Sequence, residues 1–231
     1  MNQWNDTFKK RGKVFLELQE QIPGIAKLFE TNGVKKVLDL GCGSGRHTVY
    51  FAKNGFQVYG FDNAPAGLKL TKDWLREEGL RANLKLGSIY QKLPYRDSYF
   101  DALIAIQVIN HGTIENIRKL IKVIQRILKP DGLVFITTRR IKKRSWRINS
   151  IKKDRFRASN GIDMLKMDYR IVGPRTYMPV EGGEIGLIHY VFDRETLKKE
   201  FSDFKIRNIS VSSNKRHYCL LAELKTKKHS I

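Results

Sequence analysis

Apolar and polar positions along the chain change period several times, and each change marks an element. Lys35–Gly41 is a short Val- and Leu-rich run ending in glycine, the pattern of a buried strand. Arg46–Lys53 takes helical spacing and stops at Asn54-Gly55; Gln57–Asp62 is a second strand. Pro65–Gly79 predicts a helix with proline in its first turn and glycine at its end. Asn83–Leu86 is a weaker third strand and Phe100–Gln107 a fourth. Ile117, Leu120, Ile121, Ile124, Ile127 and Leu128 recur at helical spacing and predict an amphipathic helix over Ile114–Leu128. Lys129-Pro130-Asp131-Gly132 ends it, and Leu133–Thr138 is a fifth strand. Strands that alternate with helices in this way build a parallel sheet.

The rhythm breaks after Thr138. Residues 139–192 form a long excursion in which Arg175–Val180 and Gly186–Phe192 flank Glu181-Gly182-Gly183-Glu184, a hairpin pattern. Alternation along the second run sets Leu187, His189 and Val191 on one face and Ile188, Tyr190 and Phe192 on the other. Asp193 is placed to cap a helix through Ser202. Phe204–Ser212 and Tyr218–Leu224 are joined by so short a loop that they must be antiparallel. The expected fold is α/β: a doubly wound, mostly parallel seven-stranded sheet with an antiparallel C-terminal strand pair. One domain is expected, with an N-terminal helical or lid segment (1–34), a core (35–138), a basic insertion (139–192) and a C-terminal helix and strand pair (193–231).

Composition narrows the class. A chain of 231 residues, 41% hydrophobic and 29% charged, is that of one globular domain. No apolar run approaches the roughly 20 residues that cross a bilayer, and the start lacks a charged-then-apolar leader pattern. Cys42 and Cys219 have no CxxC partner, which suits a reducing, cytoplasmic setting without disulfides. Net charge is +21 and uneven: residues 1–138 hold 21 basic against 13 acidic side chains, residues 139–231 hold 23 against 10. The densest stretch runs from Arg139 to Arg157. It predicts either a polyanion-docking surface or a solvated, lysine-rich face.

The candidate chemistry lies where the first strand enters a helix. Asp39-Leu40-Gly41-Cys42-Gly43-Ser44-Gly45 gives the backbone freedom to turn tightly and approach a ligand. Arg46 stands where a dinucleotide fingerprint wants a third small residue, so a pyrophosphate cofactor is disfavoured. A ligand without phosphate instead needs a carboxylate for a cationic group, and Asp39 supplies one. Asp62, ending the next strand, can accept hydrogen bonds from ribose hydroxyls.

These residues resemble the class I S-adenosylmethionine-dependent methyltransferases, in their type 11 branch. The likeness covers about residues 35–138. It rests on Val37-Leu38-Asp39-Leu40-Gly41-Cys42-Gly43-Ser44-Gly45-Arg46, Val58-Tyr59-Gly60-Phe61-Asp62, Leu93-Pro94-Tyr95 before Tyr99-Phe100-Asp101-Ala102, and Leu128-Lys129-Pro130-Asp131-Gly132. The resemblance implies that S-adenosylmethionine is the cofactor. It puts Gly41, Cys42, Gly43 and Gly45 under the methionine part, Asp39 near its amino group, Asp62 and Asn63 at the ribose, Ser88 and Ile89 beside the adenine, and Gln107 at the methionine end. Many relatives carry Asp where this chain has Ser88.

Methyl transfer needs reactants held in line more than it needs a metal, and no metal-ligand spacing is visible. Neither cysteine is placed as a nucleophile for a pyrimidine carbon. Gln107-Val108-Ile109-Asn110 replaces the motif that resembling enzymes use on exocyclic base amines. The acceptor expected is therefore a ready oxygen, nitrogen or sulfur nucleophile on a small molecule. His111, just after the fourth strand, is the candidate general base, or shapes the pocket rim. Arg175, Tyr177, His189 and Tyr190 are the candidate acceptor contacts. Two other readings are open. One is an RNA methyltransferase, suggested by the charge and by a short likeness of Tyr177-Met178-Pro179 and His189-Tyr190-x-Phe192 to tRNA wobble-uridine ester-forming enzymes. The other is a non-catalytic protein that only binds the cofactor.

Overall fold

The computed structural model describes residues 3–140, 151–157, 164–182 and 184–226. Two N-terminal helices, α1 (Gln3–Arg11) and α2 (Ile22–Thr31), precede the alternating unit. That unit runs β1 (Lys36–Leu40), α3 (Arg46–Lys53), β2 (Gln57–Asp62), α4 (Pro65–Glu77), β3 (Asn83–Leu86), β4 (Phe100–Ile106), α5 (Ile114–Ile127) and β5 (Leu128–Arg139). The excursion holds β6 (Ile151–Arg157), β7 (Met164–Gly173), β8 (Thr176–Pro179) and β9 (His189–Tyr190). The chain continues with α6 (Arg194–Glu200), β10 (Phe204–Val211) and β11 (His217–Leu224).

The main sheet has seven strands in the order β10-β11-β5-β4-β1-β2-β3. β3, β2, β1, β4 and β5 are parallel, and β11 and β10 close the edge antiparallel, as expected from their short loop. Strand order reverses between β1 and β4, which opens a crevice at their C-terminal ends.

Both faces of this sheet are covered, which is why its central strands are apolar throughout rather than alternating. Leu38, Leu40, Leu103 and Ala105 face the α5 stripe of Ile117, Leu120, Ile121, Ile124 and Ile127. Val37, Val58, Ala102 and Ile104 face Ile22, Ile25 and Phe29 of α2 and Phe51 of α3. Thr113 caps α5 by accepting from the Asn116 N–H at 3.4 Å. Asp193 caps α6 by accepting from the Thr196 N–H at 2.8 Å, and that helix ends at Glu200, two residues short of the expected Ser202.

Two expectations need correction. The fifth strand starts at Leu128, not Leu133. Leu128 already pairs with Phe100, and the register then jumps to Ala102 opposite Leu133, so Lys129–Gly132 is a bulge within the strand. Lys129 Nζ holds this bulge to Asp101 at 2.5 Å. The excursion is also more ordered than a hairpin, since β6-β7-β8-β9 form a second, antiparallel sheet. Thr176 pairs with Tyr190 and Tyr177 with His189, so the hairpin expected there is present. β6 and β7 went unpredicted. Residues 141–150, part of the basic run, residues 158–163 and Gly183 lie outside the described residues. Among the described residues, no helix is long and apolar enough to cross a membrane.

Candidate active site

The crevice is walled by the glycine turn. Gly41 leaves β1 at φ +74°, and a Cβ there would lie 2.3 Å from Val108 Cγ2. Gly45 opens α3 at φ +94°. Between them, Gly43 donates its N–H to Asp62 Oδ2 at 2.8 Å, while Ala64 N–H reaches Asp62 Oδ1 at 2.8 Å. One carboxylate at the end of β2 thus clasps both the glycine turn and the start of α4. Burial raises its pKa, and the N–H groups of Gly43, Ala64 and Asn63 work against that rise.

Asp39 lies deeper, only 2% exposed, with its Oδ2 accepting from Thr48 Oγ1 at 2.7 Å. Burial pushes its carboxyl up to about 7; Thr48 opposes the shift and the nearby Asp62 adds to it. The nearby charge of Arg46 also opposes the shift, without a hydrogen bond to Asp39. Its guanidinium donates to the carbonyls of Phe15 at 3.2 Å and Glu17 at 2.7 Å. The turn is therefore backed by two desolvated carboxylates, an environment suited to a ligand with a cationic group and hydroxyls and hostile to phosphate.

The rim is built by neighbours. Phe8 of α1 is buried and packs on the turn, its Cζ 3.1 Å from where a Gly43 Cβ would stand. Asn5 Oδ1 accepts from the Ala66 N–H at 2.9 Å, which ties α1 to the start of α4. Ser88 Oγ accepts from the Tyr90 N–H at 3.2 Å, Ile89 packs at the edge of the main core, and Asn63 is exposed. Tyr90 itself crosses to the loop after β4, its hydroxyl oxygen 2.5 Å from the Cβ position of Gly112. Sequence reasoning passed over Tyr90, an aromatic in a short loop with no periodic signal. Cys42 is buried beneath Gly60, and burial holds its thiol well above the usual range, so it is no nucleophile. Gln107 is exposed at φ +59°, its N–H shared between Thr137 O at 3.0 Å and Oγ1 at 3.1 Å. A non-glycine residue in this conformation, at a strand end in the crevice, is where functional sites store strain.

Next to Gln107 the second sheet meets the first. The His111 and His189 rings lie 4.7 Å apart, and Tyr177 stacks on His189 at 4.9 Å and 12°. Arg139 donates to Tyr177 Oη at 3.1 Å. His111 Nε2 lies 3.1 Å from Gln107 O. Burial lowers His111 to about 4 and His189 to about 2, so both rings are neutral at ordinary pH. The other two predicted acceptor residues are not brought here. Arg175 is tied to Asp193, and Tyr190 faces the main core, edge-on to Phe192 at 5.0 Å. The expected alternation is the reason: His189 and Val191 face the second sheet, Tyr190 and Phe192 the first.

Residues 37–132 match the family model described as "Methyltransferase domain". A ubiquinone biosynthesis O-methyltransferase from Idiomarina loihiensis is 30% identical over 112 residues, which are 48% of this chain and 45% of that one. The chain thus spans about half the length of the curated relatives it matches. The fold is also that of a S-adenosylmethionine-dependent methyltransferase from Clostridium acetobutylicum (TM-score 0.68, 14% identity, covering 97% of this chain and 99% of the other). PH0226 from Pyrococcus horikoshii gives a TM-score of 0.67 at 18% identity, over 95% and 99% of the two chains. With that domain match and this strand order, residues 37–132 carry a methyltransferase domain, and the sheet is that of the class I methyltransferase fold.

Proposed function

We propose that the protein transfers a methyl group from S-adenosylmethionine to an oxygen, nitrogen or sulfur nucleophile on a small molecule. The observation that carries this reading is the pair of buried carboxylates, Asp39 and Asp62, behind a glycine turn. Asp62 keeps acceptor capacity for ribose hydroxyls beyond its bonds to Gly43 and Ala64. Asp39 offers negative charge for the amino group of the methionine part. Phe8 and the turn exclude water, and Ser88, Ile89 and Tyr90 line the side assigned to adenine. When bound, the cofactor supplies an electrophilic sulfonium methyl, and the protein's task is to hold the acceptor in line beside Gln107 and His111. His111 shapes the rim beside Gln107, its ring held neutral by burial. A reducing, cytoplasmic setting fits the two free, buried cysteines.

A small-molecule acceptor is favoured over RNA on two grounds. The matched relative is named for O-methylation in ubiquinone biosynthesis. The first two arginines of the basic run are also engaged within the protein: Arg139 with Tyr177, and Arg140 with Lys215 O at 3.2 Å and the Tyr218 ring at 5.7 Å.

Methyl-labelled S-adenosylmethionine, incubated with the protein and either a metabolite extract or unmodified tRNA, tests the reading. Label is expected in the metabolite tube, and lost with Asp39→Ala. Label in tRNA alone would overturn the choice of acceptor, and label in neither would overturn methyl transfer.

Cofactor affinity should also depend on pH. A cationic ligand needs Asp39 ionised, and its raised pKa of about 7 makes protons compete below that value. Affinity should rise by about fivefold from about pH 6 to about pH 7, reach about tenfold by about pH 8 and level off above that. His47, His111, His189 and His217 are all held at about 4 or below and do not titrate in this window. A flat dissociation constant across that range in calorimetric titrations would remove Asp39 from the site.

A further inference from the structure

We infer that His111, Glu184 and His189 form a binding site for a first-row divalent metal ion at the acceptor side of the crevice. The three come from separate segments: the loop after β4, the loop between β8 and β9, and β9 itself. One ligand atom from each lies within 4.8 Å of the other two. His189 Nε2 and Glu184 Oε2 are 3.6 Å apart. Two ligands on a tetrahedral ion with bonds of roughly 2.1 Å stand about 3.4 Å apart. That pair is already at ligand spacing, and one ring nitrogen of His111 lies within 4.8 Å of both.

The unpaired atoms point the same way. His111 Nδ1 and His189 Nε2 are both buried without a hydrogen-bond partner, and His189 is only 2% exposed. Buried polar atoms are rarely left so, and two imidazole nitrogens bare in one place call for a common partner. The far nitrogen of each ring is accounted for. His111 Nε2 donates to Gln107 O, which leaves Nδ1 as a lone pair. His189 Nδ1 faces the Asn110 amide at 3.5 Å, and Asn110 Oδ1 is itself buried and unpartnered. Turning that amide over, which exchanges indistinguishable atoms, lets Oδ1 accept from Nδ1–H and leaves Nε2 bare. Metal-bound histidines are oriented by such carbonyl and amide oxygens on the opposite nitrogen.

Two imidazoles and one carboxylate suit Zn²⁺, Fe²⁺, Co²⁺ or Mn²⁺ rather than the harder Mg²⁺ or Ca²⁺. Three protein ligands leave a position open, as in catalytic rather than structural sites. Glu184 is driven toward neutrality by burial and back toward the carboxylate by Arg139. In the methyltransferase reading, on which this role rests, an acceptor hydroxyl at the open position would bind through oxygen. Its proton would pass to solvent more readily beside the ion.

The test uses the untagged full chain, stripped with a chelator and titrated with Co²⁺ by visible absorption and with Zn²⁺ by calorimetry. One equivalent of each is expected, with ligand-field bands for Co²⁺. Glu184→Gln and His111→Gln should each weaken binding by at least about tenfold. His189 is too buried to serve as the test position, and the two variants used are checked for folding by circular dichroism. No binding to the wild type, or wild-type affinity in both folded variants, would overturn the site. Titration of the same wild-type sample with S-adenosylmethionine separates the two claims: metal without cofactor supports this site and contradicts the proposed function, and cofactor without metal does the reverse.

Discussion

Replacing Asp62 by alanine is expected to lower S-adenosylmethionine affinity by at least about 100-fold, read by isothermal titration calorimetry. Two losses combine. The ribose hydroxyls lose a charged acceptor, and hydrogen bonds to charged groups contribute about 1.5–3 kcal/mol each. The turn also loses its clasp, because the Gly43 and Ala64 N–H groups both end on this carboxylate. The Asp62→Asn variant separates the two effects. It keeps an oxygen for one N–H and removes the charge, so its loss should be smaller, on the order of tenfold. Wild-type affinity in Asp62→Ala would mean that the ligand lies elsewhere.

The largest effect on stability is expected for Gly41→Val. At φ +74° a residue with a Cβ is strained by about 1–2 kcal/mol. The added Cβ would stand 2.3 Å from Val108 Cγ2, and such overpacking costs about 1–3 kcal/mol more. At roughly 2–4 °C per kcal/mol for a chain of this size, the melting midpoint should fall by about 4–20 °C. Gly55→Ala is the internal control. Gly55 has φ +81° but nothing within 4 Å of its Cβ position, so only the backbone strain applies and the fall should be clearly smaller. Equal midpoints for the two variants, read by thermal circular dichroism, would show that the Val108 contact does not constrain the turn.

The alternating core was legible because burial there follows from period alone. Arg46–Lys53, Gln57–Asp62 and Asn83–Leu86 begin and end where spacing and turn residues place them. The carboxylates of Asp39 and Asp62 meet at one crevice because β1 and β2 are parallel neighbours in register. Other parts were harder to see, for different physical reasons. β7 carries a clear alternation, Leu165, Met167, Tyr169 and Ile171 against Lys166, Asp168 and Arg170, but it sits behind a run of charge that reads as surface. Its described inward residues, Tyr169 and Ile171, are indeed buried. Lys129–Gly132 has the composition of a turn and is a bulge, a distinction set by the partner strand. Glu184 had no signal at all, because its neighbours in space, His111 and His189, are assembled by the second sheet rather than by spacing in the chain. Tyr190 stands in the right hairpin and points away from the site, since alternate positions of β9 belong to different cores, while Arg175, just before β8, is held by Asp193.

The most direct test of the central claim is a side-by-side titration of the wild-type protein with S-adenosylmethionine and with NAD⁺. The crevice described here predicts saturable binding of one S-adenosylmethionine per chain and none of the dinucleotide, because Asp39 and Asp62 favour a cationic, phosphate-free ligand. Binding of NAD⁺ in preference, or no heat with S-adenosylmethionine, would contradict the assignment of the glycine turn.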